Sequence, residues 1–141
     1  MRTTKLFTPD LLDRFRKEGR GQGTYIRYRP WHCISRGDPS SEGRAHMMTW
    51  GGRQRNLLSD DEWVASLFTP LTPGSDDLRE QFPLSLETGS HELGAYDVRL
   101  GKPGLPGTLE IARQLGFRHP RVNGNGRSAP WVITTDLLFT L

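Results

Sequence analysis

The last eleven residues, 131–141, constrain the fold more than any other segment of the chain. They read WVITTDLLFTL, a run of apolar and β-branched residues that predicts a β-strand. A single carboxylate, Asp136, interrupts this apolar run. We therefore predict an interior strand of a sheet, with Asp136 pointing out of the apolar face into a cleft.

Composition limits the core that can surround such a strand. Of the 141 residues, 34% are hydrophobic, and 16 Gly and 10 Pro predict many loops. This length suits one domain, or one domain with an arm. A single cysteine, Cys33, excludes an internal disulfide and gives no zinc-ligand spacing. Because the chain lacks both a long apolar run and an apolar N-terminal signal, we expect a cytoplasmic protein rather than a membrane or secreted one.

Charge is distributed unevenly along the chain. Residues 1–57 hold 12 Lys and Arg against 5 Asp and Glu, a balance of +7, whereas residues 58–141 hold 7 against 11, a balance of −4. Arginine outnumbers lysine 16 to 3. Guanidinium groups suit bidentate phosphate contacts, so the front half suits a polyanion such as DNA. Arginine-rich codon usage with solvated side chains explains the same composition equally well.

Apolar periodicity and capping residues predict an α/β protein, with α and β elements around a small mixed sheet. Helices are predicted over 9–18, 57–69 and 108–116, and strands over 77–84 and 131–141. In the second helix, Ser59 and Glu62 fit a capping box, which alone would explain the glutamate. Residues 34–56 are polar and turn-rich, residues 85–107 are ambiguous, and residues 119–130 are predicted to be a loop.

Two carboxylates, Glu62 on a predicted helix and Asp136 on a predicted strand, are candidates to bind one hard cation. Magnesium prefers oxygen ligands and usually takes only one or two protein carboxylates. A bound cation of this kind polarises a phosphate and activates water. Spacing alone does not single out this pair, because the chain has 16 acidic residues.

A segment rich in glycine, arginine and aromatic residues, GRGQGTYIRYRPW at 19–31, suits contact with a nucleic-acid backbone. An ordinary glycine-rich arm with a small aromatic cluster would have the same composition. The candidate phosphate contacts are Arg20, Arg27, Arg29 and Arg36.

Several motifs resemble the TnsA family, the endonuclease subunit of heteromeric transposases, and they occur in the order found in that family. LLSDDE and LREQFPL are together the most specific of them. The motifs cover most of residues 19–141: GRGQGTYIRYRPW at 19–31, SRG at 35–37, LLSDDE at 57–62, LREQFPL at 78–84, TLEIARQLG at 108–116 with HP at 119–120, and ITTDLLFT at 133–140.

The resemblance implies a restriction-endonuclease-like core over 19–141, incomplete at its C-terminus, behind a helical arm over 1–18. It implies hydrolytic cutting at the 5′ ends of the transposon with Mg²⁺, or Mn²⁺ in its place. The implied partners are DNA, a DDE-type recombinase that joins the 3′ ends, and an AAA+ ATPase that regulates both. By its motifs, Glu62 is implied as a catalytic acid and Asp136 as a metal ligand. Glu80 is open to two interpretations, an approach to the same metal or a buried charge pair with an arginine.

One family motif is missing, a Gln-x-Lys whose lysine contacts the scissile phosphate or water. The lysines of this chain are Lys5, Lys17 and Lys102, and none follows Asp136. We therefore expect the chain by itself to bind metal without cutting DNA, because the missing charge would stabilise the developing oxyanion. Two other functions stay open: a non-catalytic module that binds transposon ends or the recombinase, and a free-standing restriction-like nuclease. The segment at 19–31 argues against the second, since generic nucleases of that fold have no need of it.

Overall fold

The computed structural model describes residues 6–39, 43–95, 97–100 and 103–140. Within this part, helices and small antiparallel sheets are combined, which confirms the predicted mixture of α and β elements. The helices are α1 (Pro9–Lys17), α2 (Asp60–Leu67) and α3 (Thr108–Gln114). The strands are β1 (His46–Trp50), β2 (Arg53–Leu57), β3 (Asp77–Pro83), β4 (Gly89–Ser90), β5 (Pro103–Leu105), β6 (Arg121–Gly124), β7 (Arg127–Pro130) and β8 (Thr134–Thr140).

The chain divides into two compact units. Unit 1 comprises Met1–Pro83 and Thr134–Leu141, and unit 2 comprises Leu84–Ile133. The predicted division into an arm over 1–18 and a domain over 19–141 stays a prediction. Among the described residues, no helix combines the length and the apolar character needed to cross a bilayer.

Helix α1 contributes its apolar face to the core of unit 1. The Thr8 hydroxyl accepts a hydrogen bond from the Leu11 amide at 3.3 Å, and Pro9 occupies the first turn, where its missing N–H does no harm. Leu12 and Phe15 are fully buried. Because burial of one such side chain stabilises the fold by roughly 1.5–3 kcal/mol, the helix is tied firmly to the unit.

Strands β1 and β2 form an antiparallel hairpin within a region that the sequence predicted only as polar and turn-rich. The turn, Gly51–Gly52, has φ of 62° and 75°, a conformation that favours glycine. Inward positions of β2 are held by Arg53, Arg55 and Leu57, all buried. Because arginines occupy two positions of its buried face, β2 lacks the alternation of polar and apolar residues from which a strand is normally predicted.

The β3–β8 sheet of unit 1 confirms the two predicted strands, but β8 pairs with β3 alone among the described residues and is not the interior strand that was predicted. The strands are antiparallel, with Glu80 opposite Leu137 and Phe82 opposite Thr135. The first five residues of β3 are all buried, so both faces of that strand are covered. Strand β2 contacts β3, and α2 contacts β8, which places the predicted helix and the predicted final strand side by side.

Unit 2 contains α3 and the hairpins β4–β5 and β6–β7. Helix α3 confirms the third predicted helix and ends before Gly116, which has φ 70°. The prediction of a loop over 119–130 was wrong, because β6 and β7 form a hairpin there. Its turn, Asn125–Gly126, has φ of 51° and 72°, the backbone that a two-residue hairpin turn requires.

Candidate active site

Glu62 lies in the first turn of α2 and is 8% exposed. The Ser59 hydroxyl caps the helix by accepting a hydrogen bond from the Glu62 amide at 3.1 Å. In return, the Glu62 carboxylate accepts hydrogen bonds from the Leu58 amide at 2.9 Å and from the Ser59 hydroxyl at 3.4 Å. The predicted capping box is thus present, except that the Glu62 carboxylate accepts its backbone hydrogen bond from Leu58 and not from the N-cap residue, Ser59. It fixes the carboxylate at the helix N-terminus, where the helix dipole favours negative charge.

Gln81 on β3 supplies a further hydrogen bond to Glu62. Its side-chain amide donates to Glu62 Oε2 at 2.9 Å, and the residue is 2% exposed. The backbone of Gln81 has φ 50°, a strained conformation for a residue other than glycine. Its carbonyl accepts hydrogen bonds from the Trp31 amide at 3.1 Å and the Tyr28 hydroxyl at 3.4 Å. These contacts hold the strained backbone in the position from which the amide reaches Glu62.

Asp136 is exposed on β8, and the register of β3 and β8 places it opposite Gln81. Burial raises the pKa of the Glu62 carboxyl, and the nearby negative charge of Asp136 raises it further, whereas the hydrogen bond from the Leu58 amide acts the other way. Of the two candidate carboxylates, Asp136 is thus near enough for its charge to raise the pKa of Glu62.

The donor set fits a hard cation that keeps most of its water. Glu62 Oε2 accepts two hydrogen bonds and Oε1 accepts one long one, so Oε1 retains a lone pair for a cation. The carboxylate of Asp136 is open to solvent. In the part of the chain that the structure describes, no group of three or more His, Cys, Asp or Glu side chains is arranged to hold a metal ion. A cation here would rely on two carboxylates together with water or phosphate oxygens, as Mg²⁺ usually does.

Glu80 belongs to a buried charge cluster. Its carboxylate accepts hydrogen bonds from both terminal nitrogens of Arg53, at 2.7 and 2.6 Å, and from the Asn56 amide at 3.1 Å. Arg55 lies 3.6 Å from the same carboxylate. The Glu80 side chain is fully buried. Of the two interpretations of Glu80, the structure shows the charge pair with arginine.

Arg20 is the least exposed of the four arginines predicted to contact DNA. Its guanidinium donates to Asp38 at 2.8 and 3.3 Å and to Glu18 at 2.6 Å. It also lies over the Phe15 ring, 3.9 Å from the ring centroid. These contacts tie the segment after α1 into unit 1, which leaves little of the guanidinium for a phosphate.

The other three predicted arginines, Arg27, Arg29 and Arg36, are exposed. Arg29 donates to the Glu18 carbonyl at 2.9 Å, which holds one end of its guanidinium against the protein. Phosphate contact by any of the four stays a prediction, and exposure favours Arg27 and Arg36.

Sequence reasoning assigned no role to Gln81, although it is part of the motif LREQFPL. That motif was the only available signal, because the positive φ and the contact with Glu62 depend on residues far away in the sequence. Gln81 is thus the residue that links the helix of Glu62 with the strand pair of Asp136.

Comparison with known proteins supplies the context of this site. No family model matches the chain. The chain is 34% identical over 125 residues to the transposon Tn7 transposition protein TnsA of Escherichia coli, an alignment that covers 86% of this chain and 36% of that protein. The chain thus spans about a third of the length of this relative. The resemblance that the motifs indicated is confirmed, and the chain is TnsA-like in sequence along most of its length.

Proposed function

We propose that the chain acts in a heteromeric transposase as a metal-dependent endonuclease that cuts DNA at the 5′ ends of the transposon. The observation that carries the proposal is the placement of the two carboxylates: the Gln81 amide holds Glu62, the register of β3 and β8 puts Asp136 opposite Gln81, and α2 contacts β8. Similarity to TnsA supports the setting in transposition. A helix bearing Glu62 against a strand bearing Asp136 supports a restriction-endonuclease-like core as part of the proposal.

Each residue has a distinct part in the proposed chemistry. Mg²⁺, or Mn²⁺ in its place, would polarise the scissile phosphate and lower the pKa of a bound water. Glu62 and Asp136 would hold the cation through their carboxylates. Gln81 would keep Glu62 oriented, because its amide already occupies the second lone pair of Oε2. Burial disfavours the ionised form of Glu62 and raises its pKa, and a bound cation would favour that form by compensating its charge.

The proposed partners follow from the similarity to TnsA. They are transposon DNA, a DDE-type recombinase that joins the 3′ ends, and an AAA+ ATPase that regulates both subunits. The exposed guanidinium groups of Arg27 and Arg36 support contact with DNA phosphates.

A second candidate function is a non-catalytic module that binds transposon ends or the recombinase. It is favoured by the exposed guanidinium groups of Arg27 and Arg36, which can contact DNA phosphates without any metal.

Titration with Mn²⁺, followed by electron paramagnetic resonance, tests the site independently of cleavage. We expect binding to weaken by about 10-fold or more in Glu62→Gln and in Asp136→Asn, because each removes one of two anionic ligands close to the cation. Asp61→Asn is the matched control, since it removes an exposed carboxylate from the same helical turn. Equal weakening in all three variants would show general charge attraction instead of a site, and no Mn²⁺ binding by the unmodified chain would reject the metal site.

Cleavage of DNA that carries a transposon end separates the two candidate functions. The chain is incubated with Mg²⁺ and the recombinase subunit, with and without the Glu62→Ala change. Cutting at the 5′ end that disappears in Glu62→Ala supports the endonuclease. Recombinase-dependent DNA binding without any cutting supports the non-catalytic module.

A further inference from the structure

A second basic surface lies in unit 2, on the β6–β7 hairpin. Residues 114–135 contain three arginines and no Asp or Glu, in a chain half whose overall balance is acidic. Two of these arginines, Arg121 and Arg127, begin the two strands of the hairpin, and both are exposed. A local field of one sign on a protruding element is typical of contact with a polyanion.

The two faces of the hairpin differ in chemistry. Because side chains alternate along a strand, the register places Arg121, Asn123 and Ser128 on one face and Val122, Ala129 and Arg127 on the other. Val122 and Ala129 are half-buried, and the other four residues are exposed. One face therefore presents a guanidinium, an amide and a hydroxyl to solvent, while the other presents the guanidinium of Arg127 beyond a partly covered apolar patch.

Arg121 is held across the polar face. Its Nε donates to the Ser128 hydroxyl at 2.8 Å, and its Nη2 donates to the Ser128 carbonyl at 3.2 Å. These bonds involve Nε and Nη2 but not Nη1, and a side chain restrained in this way loses less conformational entropy when it binds an anion through Nη1. Arg127, directly after the turn, lies at the other end of the ribbon, opposite Gly124 and on the other face. The two positions are three residues apart along the ladder, a distance of about 10 Å between their backbones.

The base of the hairpin is fixed within unit 2. The Trp131 amide donates to the Pro120 carbonyl at 2.9 Å and closes the ladder below the two strands. His119 Nε2 shares a hydrogen bond with the Thr108 hydroxyl at 3.0 Å, which connects the base to α3. The ribbon is thus anchored at one end and exposed at the other.

We propose that the β6–β7 hairpin is a contact surface for double-stranded DNA. The hairpin would enter the groove with one face towards each DNA backbone, so that Arg121 contacts phosphates on one side and Arg127 contacts phosphates on the other. The major groove, about 12 Å wide, admits a two-stranded ribbon, and arginines on its two faces reach phosphates on both sides of the groove. The choice of DNA as the partner rests on the proposed function, whereas the surface rests on the charge and exposure of the hairpin.

Fluorescence anisotropy with a labelled DNA duplex tests the inference on the 141-residue chain. We expect Arg121→Ala combined with Arg127→Ala to weaken binding about 10-fold at low salt and to reduce the slope of log K against log salt by about 1.8, the value for two phosphate contacts. The control pair is Arg99→Ala with Arg113→Ala, two exposed arginines of unit 2 that are paired with Asp97 and Glu110. The control loses the same number of positive charges and is expected to keep the slope. Lysine at positions 121 and 127 keeps the charge and is expected to restore most of the affinity, provided that melting curves show all variants folded.

Three results would overturn the inference. The first is equal weakening by the hairpin pair and the control pair, and the second is the absence of duplex binding at about 50 mM salt, where phosphate contacts are strongest. The third is binding of an RNA duplex as tight as that of DNA and equally dependent on the hairpin, which would assign a different partner. If the unmodified chain fails to bind Mn²⁺ but its DNA binding still depends on the hairpin arginines, the metal-dependent cutting function is rejected and the hairpin inference stands. Failure of the proposed function and failure of the hairpin inference are therefore distinguishable.

Discussion

Substitution of Gln for Glu80 is expected to destabilise unit 1 severely, although it changes the shape of the side chain very little. Both Glu80 oxygens accept hydrogen bonds from Arg53, at 2.7 and 2.6 Å, and Arg55 lies 3.6 Å away. Glutamine keeps only one acceptor oxygen, and its amide group would face guanidinium groups that can only donate. Two buried cations would therefore lose their counter-charge.

The size of the effect follows from burial. The side chains of Arg53, Arg55 and Glu80 are 7%, 4% and 0% exposed, so water cannot replace the lost carboxylate. Removal of one partner from a buried ion pair destabilises a protein by about 3–5 kcal/mol. Since folded domains are stable by only about 5–15 kcal/mol, Glu80→Gln is expected to remove a large share of the free energy of unfolding.

Urea unfolding followed by circular dichroism measures this loss at neutral pH. Glu87→Gln, a change of an exposed glutamate, is the matched control and is expected to stay within about 0.5 kcal/mol of the unmodified chain. The double variant Arg53→Met with Glu80→Leu is expected to recover part of the loss, because it removes both charges of the closest pair while Arg55 remains. Under conditions where Glu80→Gln stays folded, its Mn²⁺ affinity is expected to be unchanged.

Two results would refute this reasoning. A free energy of unfolding within about 1 kcal/mol of the unmodified chain would show that the buried cluster tolerates an uncompensated cation. A fall in Mn²⁺ affinity as large as that in Glu62→Gln would assign Glu80 to the metal and not to the arginines.

Two further predictions concern His32 and Gln81. Burial, assisted by the charge of Arg20, lowers the pKa of His32 from 6.5 to about 4. Protonation of His32 therefore favours the unfolded chain. The free energy of unfolding should fall by on the order of 3 kcal/mol as the pH drops from 6.5 to about 4. His32→Phe should remove this pH dependence in urea titrations, and an unchanged pH profile in that variant would contradict the prediction. Gln81→Ala and Gln81→Gly should both weaken Mn²⁺ binding about 10-fold or more, because Glu62 loses the group that orients it. Glycine accepts the positive φ, so the glycine variant should be more stable than the alanine variant by about 1 kcal/mol; equal stabilities would show that the backbone at Gln81 is unstrained.

Local signals in the sequence were sufficient for the helices and for the strand pair of unit 1. Ser59 before an apolar stripe marks the start of α2, and the apolar run around Asp136 marks β8. The β1–β2 hairpin could not be predicted in the same way, because its inward positions include Arg53 and Arg55. Their burial depends on Glu80, which is 25 or more residues away, and a pattern confined to neighbouring residues contains no information on that contact.

The candidate site was predictable only through the family resemblance. Glu62 and Asp136 were two among 16 acidic residues, and no spacing rule pairs a helix position with a strand position 74 residues later. The role of Gln81 depends on a backbone conformation that Trp31 and Tyr28 hold in place from another segment. The charge of the front half could not show which arginines neutralise carboxylates within the fold, as Arg20 does with Asp38. Phosphate contact by this half of the chain stays a prediction.

Unit 2 begins and ends at the same place, because the Leu84 amide donates to the Ile133 carbonyl at 2.8 Å. An unstructured connection of about 50 residues between β3 and β8 would add roughly 3.5 kcal/mol of closure entropy to the pairing of these strands. A folded unit whose ends already meet removes most of that penalty and lets β3 and β8 pair as if they formed a short hairpin. Insertions and substitutions within the unit can then accumulate without shifting Asp136 along Gln81, as long as the two ends stay together. Unit 2, with the hairpin proposed to contact DNA, can thus vary without changing the register that places Asp136 opposite Gln81.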